Sequence, residues 1–335
     1  MRRALVIGKF MPLHRGHELL IETALAQCDH VTVVVYDSKL PVDDLSARMP
    51  LRTRLGWIRQ LYPQLEQLVG LPDPLEWPQN EDPACAEVYA TQLRFLGSFD
   101  RFYSSEARYA RFASLLGAEH VVVDEDRALV RVSGTLVRSD PYRHRAFVSP
   151  HVYSALVRRV ALVGTESSGK STLARALAAR FDTAWVHEYG RELWEAQGLQ
   201  GTFADHLRIA ERQRSREDAA ARSARDFLFC DTNAWTTLQW SLRSYGCADV
   251  RLHELVDRTI DEYTWILCAN DFGWIQDGTR ELDGELSVAF QRQQVEDLVA
   301  RGVPYVELSG SLEQRVEQVS AHLLGGRVNG PCART

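Results

Sequence analysis

The sequence predicts an α/β protein of two domains, each built around a parallel β-sheet. Short apolar runs alternate with longer amphipathic stretches, as they do where helices connect parallel strands. The alternation begins near the first residue and starts afresh at residues 160–163. A chain of 335 residues also suits two domains, because a single domain usually has roughly 100–200 residues.

The predicted elements follow the same order in both halves, a buried strand and then an amphipathic helix. In the first half we predict helices at residues 18–27 and 51–61, and strands at residues 4–7, 31–36, 65–69, 101–103 and 120–123. In the second half we predict helices at residues 172–180, 203–225 and 284–300, and strands at residues 160–163, 184–186, 227–230, 265–268 and 305–308.

The domain boundary is predicted within residues 139–159. This stretch contains Asp140-Pro141 and Ser149-Pro150, several basic residues and no clear strand. We therefore expect one domain at residues 1–150 and a second at residues 156–325. Residues 326–335 are a short polar tail rich in glycine, which we expect to be disordered.

The composition is that of an ordinary globular protein, with 45% hydrophobic and 25% charged residues. The net charge of −6 argues against a general DNA-binding protein, which usually carries a basic face. No apolar run approaches the ~20 residues that a membrane-spanning helix needs, and no two cysteines have a zinc-type spacing. We expect a cytoplasmic protein without disulfides, DNA partners or membrane contacts, and leave open whether it forms a homo-oligomer.

The first phosphate-binding signature is His14-Arg15-Gly16-His17, which opens a predicted helix. A helix N-terminus has free N–H groups and a positive dipole end, and both favour phosphate. The imidazoles of His14 and His17 add donors that can follow negative charge building on a triphosphate. Gly16 allows a close approach of the backbone.

Gly8, Lys9 and Phe10 follow the predicted strand and belong to the segment that leads to this signature. Lys9 is close enough in sequence to contact phosphate, although a solvated lysine at a strand end explains it equally well. Two histidines three residues apart are by themselves also compatible with a polar surface, so a second segment has to decide.

That second segment follows the fifth predicted strand and runs from Val132 to Arg138. Ser133 and Thr135 can cap a helix whose N-terminus again faces phosphate. Arg138 lies in the following turn and can reach the leaving β- and γ-phosphates. The alternative is an ordinary helix cap with a solvated arginine.

Together the two segments resemble the HxGH and I/V-S-x-T-x-x-R motifs of the nucleotidyltransferase superfamily, in which both motifs line one ATP site on a Rossmann-like sheet. The resemblance implies direct attack of a substrate phosphate on the α-phosphate of ATP, with pyrophosphate leaving and no covalent protein intermediate. Catalysis would rest on positioning the substrates and on stabilising the charge of the transition state, and Mg²⁺ would contribute to this stabilisation.

The second signature, Gly164 to Ser171, fits G-x-x-x-x-G-K-[ST] at every position. It follows a predicted strand and precedes a predicted helix, which is the context that a P-loop requires. Its glycines let backbone N–H groups surround the phosphates, Lys170 neutralises the β/γ charge, and Ser171 offers its hydroxyl to Mg²⁺. The residues expected to contact the nucleotide are Gly164, Glu166, Ser167, Ser168, Gly169, Ser171 and Thr172.

Two carboxylates are candidates for the catalytic base of the second site. Asp231 ends a predicted strand, where P-loop proteins place an acid on the metal side, but it could also cap the helix that begins near Asn233. Glu188 follows another short strand, where a carboxylate can accept the proton of a substrate hydroxyl. We favour Glu188 as the base and Asp231 as the metal-side acid, and keep Asp231 as the competing base.

Two arginines complete the predicted second site. Arg191 can bind substrate or phosphate, or form a surface ion pair with Glu188 or Glu195. Arg280 lies in the segment 274–280, where kinases of this type carry a lid, and could reach the transferring phosphoryl group. The same segment could instead be a plain turn at Asp277-Gly278.

The order of the two sites resembles the bifunctional NadR-type family of NAD biosynthesis, whose members join a nicotinamide-mononucleotide (NMN) adenylyltransferase to a ribosylnicotinamide kinase. The similarity covers most of residues 3–323 and extends beyond the phosphate motifs. It includes Gly8-Lys9-Phe10, Arg54 with Trp57, Ser104-Ser105-Glu106, Glu188-Tyr189, Asp231-Thr232 and Trp274.

The resemblance implies two consecutive salvage steps, each using ATP and Mg²⁺. The second domain would phosphorylate the 5′-hydroxyl of nicotinamide riboside to give NMN. The first domain would then transfer AMP to NMN, with NAD and pyrophosphate as products.

The sequence departs from the family pattern in three places. Enterobacterial members carry an N-terminal helix-turn-helix repressor domain, for which we expect no room here because the first strand begins by Ala4. Arg15 stands where threonine is frequent. The segment 71–87 matches poorly, and Trp77 within it is either a stacking partner for the nicotinamide ring or a packing residue.

Other functions stay open beside this one. The first domain could transfer AMP or CMP to a different phosphorylated metabolite, because its motifs read the triphosphate and not the acceptor. The chain could also be a catalytically weak sensor of NAD or ATP, which the intact Lys170, His14, His17 and Arg138 argue against. A DNA-binding repressor is disfavoured by the negative net charge.

Overall fold

The computed structural model describes residues 1–37, 44–76, 82–198, 201–271 and 284–325. The chain divides into two compact units, Met1–Leu156 and Val157–Thr335. The predictions for Trp77, for Arg280 and its segment, and for the tail 326–335 lie outside the described residues.

The first unit alternates strands and helices along its whole length. Its elements are β1 (Arg3–Gly8), α1 (Arg15–Gln27), β2 (His30–Asp37), α2 (Asp44–Ala47), α3 (Leu51–Leu61), β3 (Gln67–Pro72), α4 (Ala86–Leu93), β4 (Arg101–Ser104), α5 (Ala110–Leu116), β5 (Glu119–Val122), α6 (Gly134–Ser139) and α7 (Pro150–Leu156).

The five strands of this unit pair in the order β3-β2-β1-β4-β5, all of them parallel. The chain moves outward from β1 to β3 and then returns to β4, so the direction reverses between β1 and β4. In open parallel sheets, ligands bind at the carboxyl ends of the strands beside such a reversal. The loops that follow β1, β4 and β5 meet at this edge.

The second unit has the same alternation. Its elements are β6 (Arg158–Val163), α8 (Lys170–Phe181), β7 (Trp185–Val186), α9 (Tyr189–Ala196), α10 (Phe203–Ala221), β8 (Phe227–Asp231), α11 (Ala234–Tyr245), α12 (Val250–Thr259), β9 (Tyr263–Cys268), α13 (Gly284–Ala300), β10 (Tyr305–Leu308) and α14 (Leu312–Gly325).

Its five strands pair in the order β10-β9-β6-β8-β7, again all parallel. The central strand β6 is buried on both faces: Ala161 and Val163 belong to one apolar cluster, and Val160 and Leu162 to the other. Burial on both faces explains why these strands are continuous apolar runs in the sequence.

The predicted fold class is confirmed, and all ten predicted strands are present. Among the strands, the largest difference in bounds is at β3, which we predicted at residues 65–69 and which spans Gln67–Pro72. The predicted helix 203–225 ends earlier, as α10, because the chain turns at Arg222 before entering β8. Within the described ranges, no helix combines the length and apolar character needed to cross a membrane.

A buried arginine forms hydrogen bonds with carbonyl groups at the carboxyl edge of the first sheet. Arg54 on α3 is 0% exposed. Its Nη1 donates to the carbonyls of Lys9 at 2.6 Å and Tyr36 at 2.7 Å, and its Nε donates to the carbonyl of Met49 at 2.8 Å. Its Nη2 pairs with Asp37 at 2.8 Å. One side chain thus satisfies carbonyl groups at the ends of two neighbouring strands.

We predict that Arg54→Met destabilises the first unit by about 3 kcal/mol, because it leaves buried carbonyls without donors. Urea unfolding followed by circular dichroism measures the change. Arg52→Met is the matched control, since Arg52 is exposed on the same helix and should shift stability by less than about 0.5 kcal/mol. Equal stability of the two variants would contradict this account of Arg54.

Candidate active sites

The first candidate site is a cavity of about 580 Å³ at the carboxyl edge of the first sheet. It is bordered by the loops after β1, β3, β4 and β5. All of the residues predicted for the first site line it, namely Gly8, Lys9, Phe10, His14, Gly16, His17, Ser133, Thr135 and Arg138.

The two histidines form a stacked pair at the start of α1. His14 is the N-cap residue, and its Nδ1 accepts a hydrogen bond from the backbone N–H of His17 at 3.4 Å. The ring centroids are 3.7 Å apart, with an angle of 15° between the planes. Burial lowers the pKa of His14 to about 4 and, together with the neighbouring His14, lowers the pKa of His17. Both imidazoles are therefore neutral at pH 7.

Gly16 leaves room for the His14 ring of this stacked pair. A Cβ at position 16 would lie 3.2 Å from Cε1 and from Nδ1 of His14. The sequence predicted that Gly16 lets the backbone approach the nucleotide. The structure adds that the His14 ring itself uses this space.

Arg138 connects the two predicted motifs. Its Nη1 donates to the carbonyl of Met11 at 2.5 Å, and its Nη2 donates to the Thr135 hydroxyl at 3.2 Å. Ser133 caps α6 by accepting from the N–H of Leu136 at 3.1 Å. A Cβ on Gly134 would lie 2.7 Å from the Met11 carbonyl oxygen. Gly134 is a requirement that the sequence analysis missed, because its only signal is a glycine at a variable position of the motif.

Other residues in and beside this cavity lie outside the two phosphate motifs. Tyr89 donates to Asp73 at 2.7 Å, and its ring packs edge-on to Tyr36 at 5.3 Å. At the neighbouring strands β4 and β5, the Ser104 hydroxyl forms a hydrogen bond with the His120 ring at 2.8 Å. These side chains come together because β3 and β4 end at the same edge as β1.

The second candidate site is the P-loop between β6 and α8. Gly164 has φ +133°, and a Cβ there would lie 2.8 Å from the Cys268 carbonyl oxygen, so only glycine fits. Gly169 has φ +83° and precedes the first residue of α8. Lys170 Nζ donates to the carbonyls of Gly164 at 3.0 Å and Thr165 at 2.7 Å. The lysine therefore lies within the curve of the loop.

Arg315 supports this loop from α14 and is 1% exposed. Its Nη1 donates to the Ser168 carbonyl at 2.7 Å, and its Nη2 donates to the Ala269 carbonyl at 3.0 Å. Its Nε donates to the Gly310 carbonyl at 3.0 Å, and the guanidinium also pairs with Asp271. The sequence analysis missed Arg315 because it lies 147 residues from Ser168 and belongs to no motif.

Asp231 and Glu188 share one electrostatic neighbourhood with Lys170 and Arg191. Burial raises the pKa of Glu188, the charge of Asp231 adds to this rise, and Lys170 and Arg191 oppose it. Asp231 is 0% exposed, and neither carboxylate oxygen has a hydrogen-bond partner among the described residues. The helix cap is Asn233, which accepts from Thr236 at 3.1 Å.

A small pocket beside Glu188 contains residues that the sequence analysis did not single out. Its walls come from α9, α10 and α11. The indoles of Trp194 and Trp240 meet edge-on at 6.5 Å. The lining consists of Glu188, Gly190, Trp194, His206, Ile209, Thr232, Thr236, Thr237 and Trp240. The two indoles thus form an aromatic wall beside Glu188.

The sequence is 31% identical over 329 residues to the trifunctional NAD biosynthesis/regulator protein NadR of Salmonella typhimurium strain LT2, covering 90% of this chain and 78% of the relative. This chain belongs to the NadR family. The NadR protein of Escherichia coli K12 is also 31% identical, over 324 residues, with the same coverage of both chains.

Solved NadR structures have the same fold. The crystal structure of NadR protein in complex with NR superimposes with a TM-score of 0.63 at 22% identity, covering 100% of this chain and 98% of that one. The NadR structure with NAD and AMP-PNP gives a TM-score of 0.62 at 20% identity, covering 99% and 98%. A family described as "AAA domain" matches residues 159–315, which contain the P-loop.

The lowered pKa of His14 makes the stability of the first unit depend on pH. Below pH 6.5 the unfolded chain protonates this histidine while the folded one does not, so the free energy of unfolding falls as the pH falls. Between pH 7.5 and pH 5 we expect His14 to account for a loss of about 2 kcal/mol.

Urea unfolding at both pH values measures this loss. His14→Asn should remove about 2 kcal/mol of the pH-dependent loss. His144→Asn, the control in the same unit, should keep it. An unchanged pH dependence in His14→Asn would show that the imidazole is not buried in its neutral form.

Proposed function

We propose that the chain is a bifunctional enzyme of NAD salvage. The domain at residues 156–325 phosphorylates the 5′-hydroxyl of nicotinamide riboside with ATP, which gives NMN. The domain at residues 1–150 transfers AMP from ATP to NMN, which gives NAD and pyrophosphate. The observation that carries the proposal is the presence of two complete phosphate sites, of the two types that these reactions need, in a member of the NadR family.

The geometry of the first site supports adenylyl transfer by positioning and charge stabilisation. The acceptor phosphate is already an anion, so it attacks the α-phosphate without a general base. The stacked His14 and His17 rings lie at the N-terminus of α1, where N–H groups and the helix dipole favour the triphosphate. Arg138 is tied to Met11 and faces the same cavity, so it can stabilise the leaving pyrophosphate.

The geometry of the second site supports transfer to a hydroxyl group, which must lose a proton. Glu188 is suited to accept that proton, because burial and Asp231 raise its pKa above that of an ordinary glutamate. Lys170 and the loop N–H groups hold the β- and γ-phosphates. Arg191 is close enough to Glu188 to lower the pKa of its carboxyl group. It can also contact the substrate or the phosphates.

The residues of the second site fit a divalent cation. A fully buried carboxylate without a hydrogen-bond partner among the described residues is unfavourable unless a cation neutralises it, and Asp231 is such a carboxylate. Asp231 and the Ser171 hydroxyl are oxygen donors, which Mg²⁺ prefers. Mg²⁺ bound there would neutralise charge on the phosphates. Within the described ranges, no cluster of three acidic, histidine or cysteine side chains forms a metal site by itself.

The two activities should be separable by mutation. Lys170→Ala should abolish phosphorylation of nicotinamide riboside and leave adenylylation of NMN intact, and His17→Ala should do the reverse. Mass spectrometry of NMN and NAD formed from each acceptor with ATP and Mg²⁺ measures both reactions. The proposal fails if wild-type protein makes neither product, or if each variant, still folded by circular dichroism, loses both reactions.

The two carboxylates of the second site should respond differently to neutral replacement. Glu188→Gln should lower kcat for the riboside by about 10²–10⁴-fold with little change in the Mg²⁺ requirement, because it removes a proton acceptor. Asp231→Asn should instead raise the Mg²⁺ concentration needed for half-maximal activity. Metal titrations at saturating riboside test both. A shifted metal requirement in Glu188→Gln, with none in Asp231→Asn, would exchange the two roles.

A further inference from the structure

The loop between β5 and α6, residues 123–133, forms one wall of the first cavity. Six of its residues line that cavity, and Arg127 is the one among them with a positive charge. The lining residues from this loop are Val123, Asp124, Arg127, Val130, Val132 and Ser133.

The backbone of this loop holds Arg127 in an unusual conformation. Arg127 has φ +52° and Asp124 has φ +55°, values that residues other than glycine rarely adopt. The Asp124 carboxylate stabilises the loop by accepting from the N–H groups of Leu129 and Val130, both at 2.8 Å. The N–H of Arg127 donates to the Asp124 carbonyl at 2.9 Å. Left-handed conformations of this kind persist where the surrounding structure enforces them, and they concentrate at ligand sites.

The charge of Arg127 acts on His14. After burial, which is the main cause, Arg127 and then Arg138 lower the pKa of His14. Arg127 thus affects His14 more than Arg138 does, although Arg138 belongs to the predicted motif. Arg127 is exposed, and among the described residues none forms a hydrogen bond or ion pair with its guanidinium.

The strand order shows at which end of the cavity Arg127 lies. Asp73 follows β3 and Arg127 follows β5, and these strands are the opposite edges of the sheet, with β1 and His14 between them. Two carboxylates, Asp73 and Asp82, line the cavity from the segment after β3. The loop after β5 also contributes Asp124, but its carboxylate accepts two backbone N–H groups of that loop. The cations Arg127 and Arg138 and the N-terminus of α1 lie beside His14, so we place the polyphosphate at this end.

We propose that Arg127 is a further catalytic residue of the first site, which binds the β- and γ-phosphates of ATP and stabilises the leaving pyrophosphate. This inference rests on the adenylyl transfer proposed above. In that step an acceptor phosphate oxygen bonds to the α-phosphorus, the bond to the bridging oxygen breaks, and the electron pair leaves on pyrophosphate. A guanidinium offers two parallel donors to such an anion.

The test uses the full chain with Lys170→Ala, which weakens nucleotide binding at the second site. Isothermal titration with α,β-methylene-ATP and with pyrophosphate measures binding, and NAD formation from NMN measures turnover. Arg127→Ala should weaken binding of both ligands about tenfold or more and lower kcat/KM for ATP by about 10- to 100-fold. Arg127→Lys should fall between wild type and Arg127→Ala, and KM for NMN should stay within about twofold.

Arg131→Ala is the matched control, because Arg131 is an exposed arginine of the same loop that does not line the cavity. It should bind both ligands as the parent does. The assignment is overturned if Arg127→Ala, with an unchanged melting temperature, behaves like Arg131→Ala, or if only the KM for NMN rises. If Arg127→Ala weakens pyrophosphate binding and the parent does not turn over NMN, the role of Arg127 stands and the proposed acceptor is wrong.

Discussion

Both candidate sites depend on how the carbonyl groups at the carboxyl ends of the parallel strands are hydrogen-bonded. Lys9 and Ala269 directly follow β1 and β9, Tyr36 lies near the end of β2, and Ser168 lies in the P-loop. Their carbonyl groups need donors where the sheet ends. Arg54 donates to Lys9 and Tyr36 in the first unit, and Arg315 donates to Ser168 and Ala269 in the second. A planar guanidinium spreads five donors over three nitrogens and can reach two neighbouring loops in this way, whereas the donors of a lysine all lie on one atom. Each phosphate-binding loop is thereby held in place by a residue that belongs to no phosphate motif.

The side chains of the two sites differ in a way that follows from their proposed nucleophiles. A phosphate oxygen is already anionic, and the first site offers it neutral imidazoles together with arginines. A ribose hydroxyl has to lose a proton, and the second site places Glu188 beside Asp231, with a raised pKa. Because the two histidines are neutral, they add no positive charge to the first cavity in the protein without nucleotide. Burial is the largest cause of the pKa shift in both cases.

Under the proposed function, the product of the second site is the acceptor of the first. The NadR relatives share both halves at 31% identity, with 78% of their length covered. The aromatic pocket beside Glu188 and the cavity beside His14 are then two sites that recognise the same nicotinamide ribose group, first without and then with its phosphate. The acidic side chains Asp73 and Asp82 lie at the edge of the first cavity that is remote from the loop carrying Arg127.

The sequence by itself determined the parallel α/β class, the ten strands and both phosphate loops, because these depend on local patterns. Apolar runs of strand length, helix caps such as Ser133 and glycines in short motifs can be read within a few residues. Only the tertiary structure decided which distant side chains meet there. Arg315 reaches Ser168 across 147 residues, and Trp194 meets Trp240 across two helices. Such contacts, and the burial that keeps His14 neutral, follow from strand order and packing, and no short segment of the chain encodes either one alone.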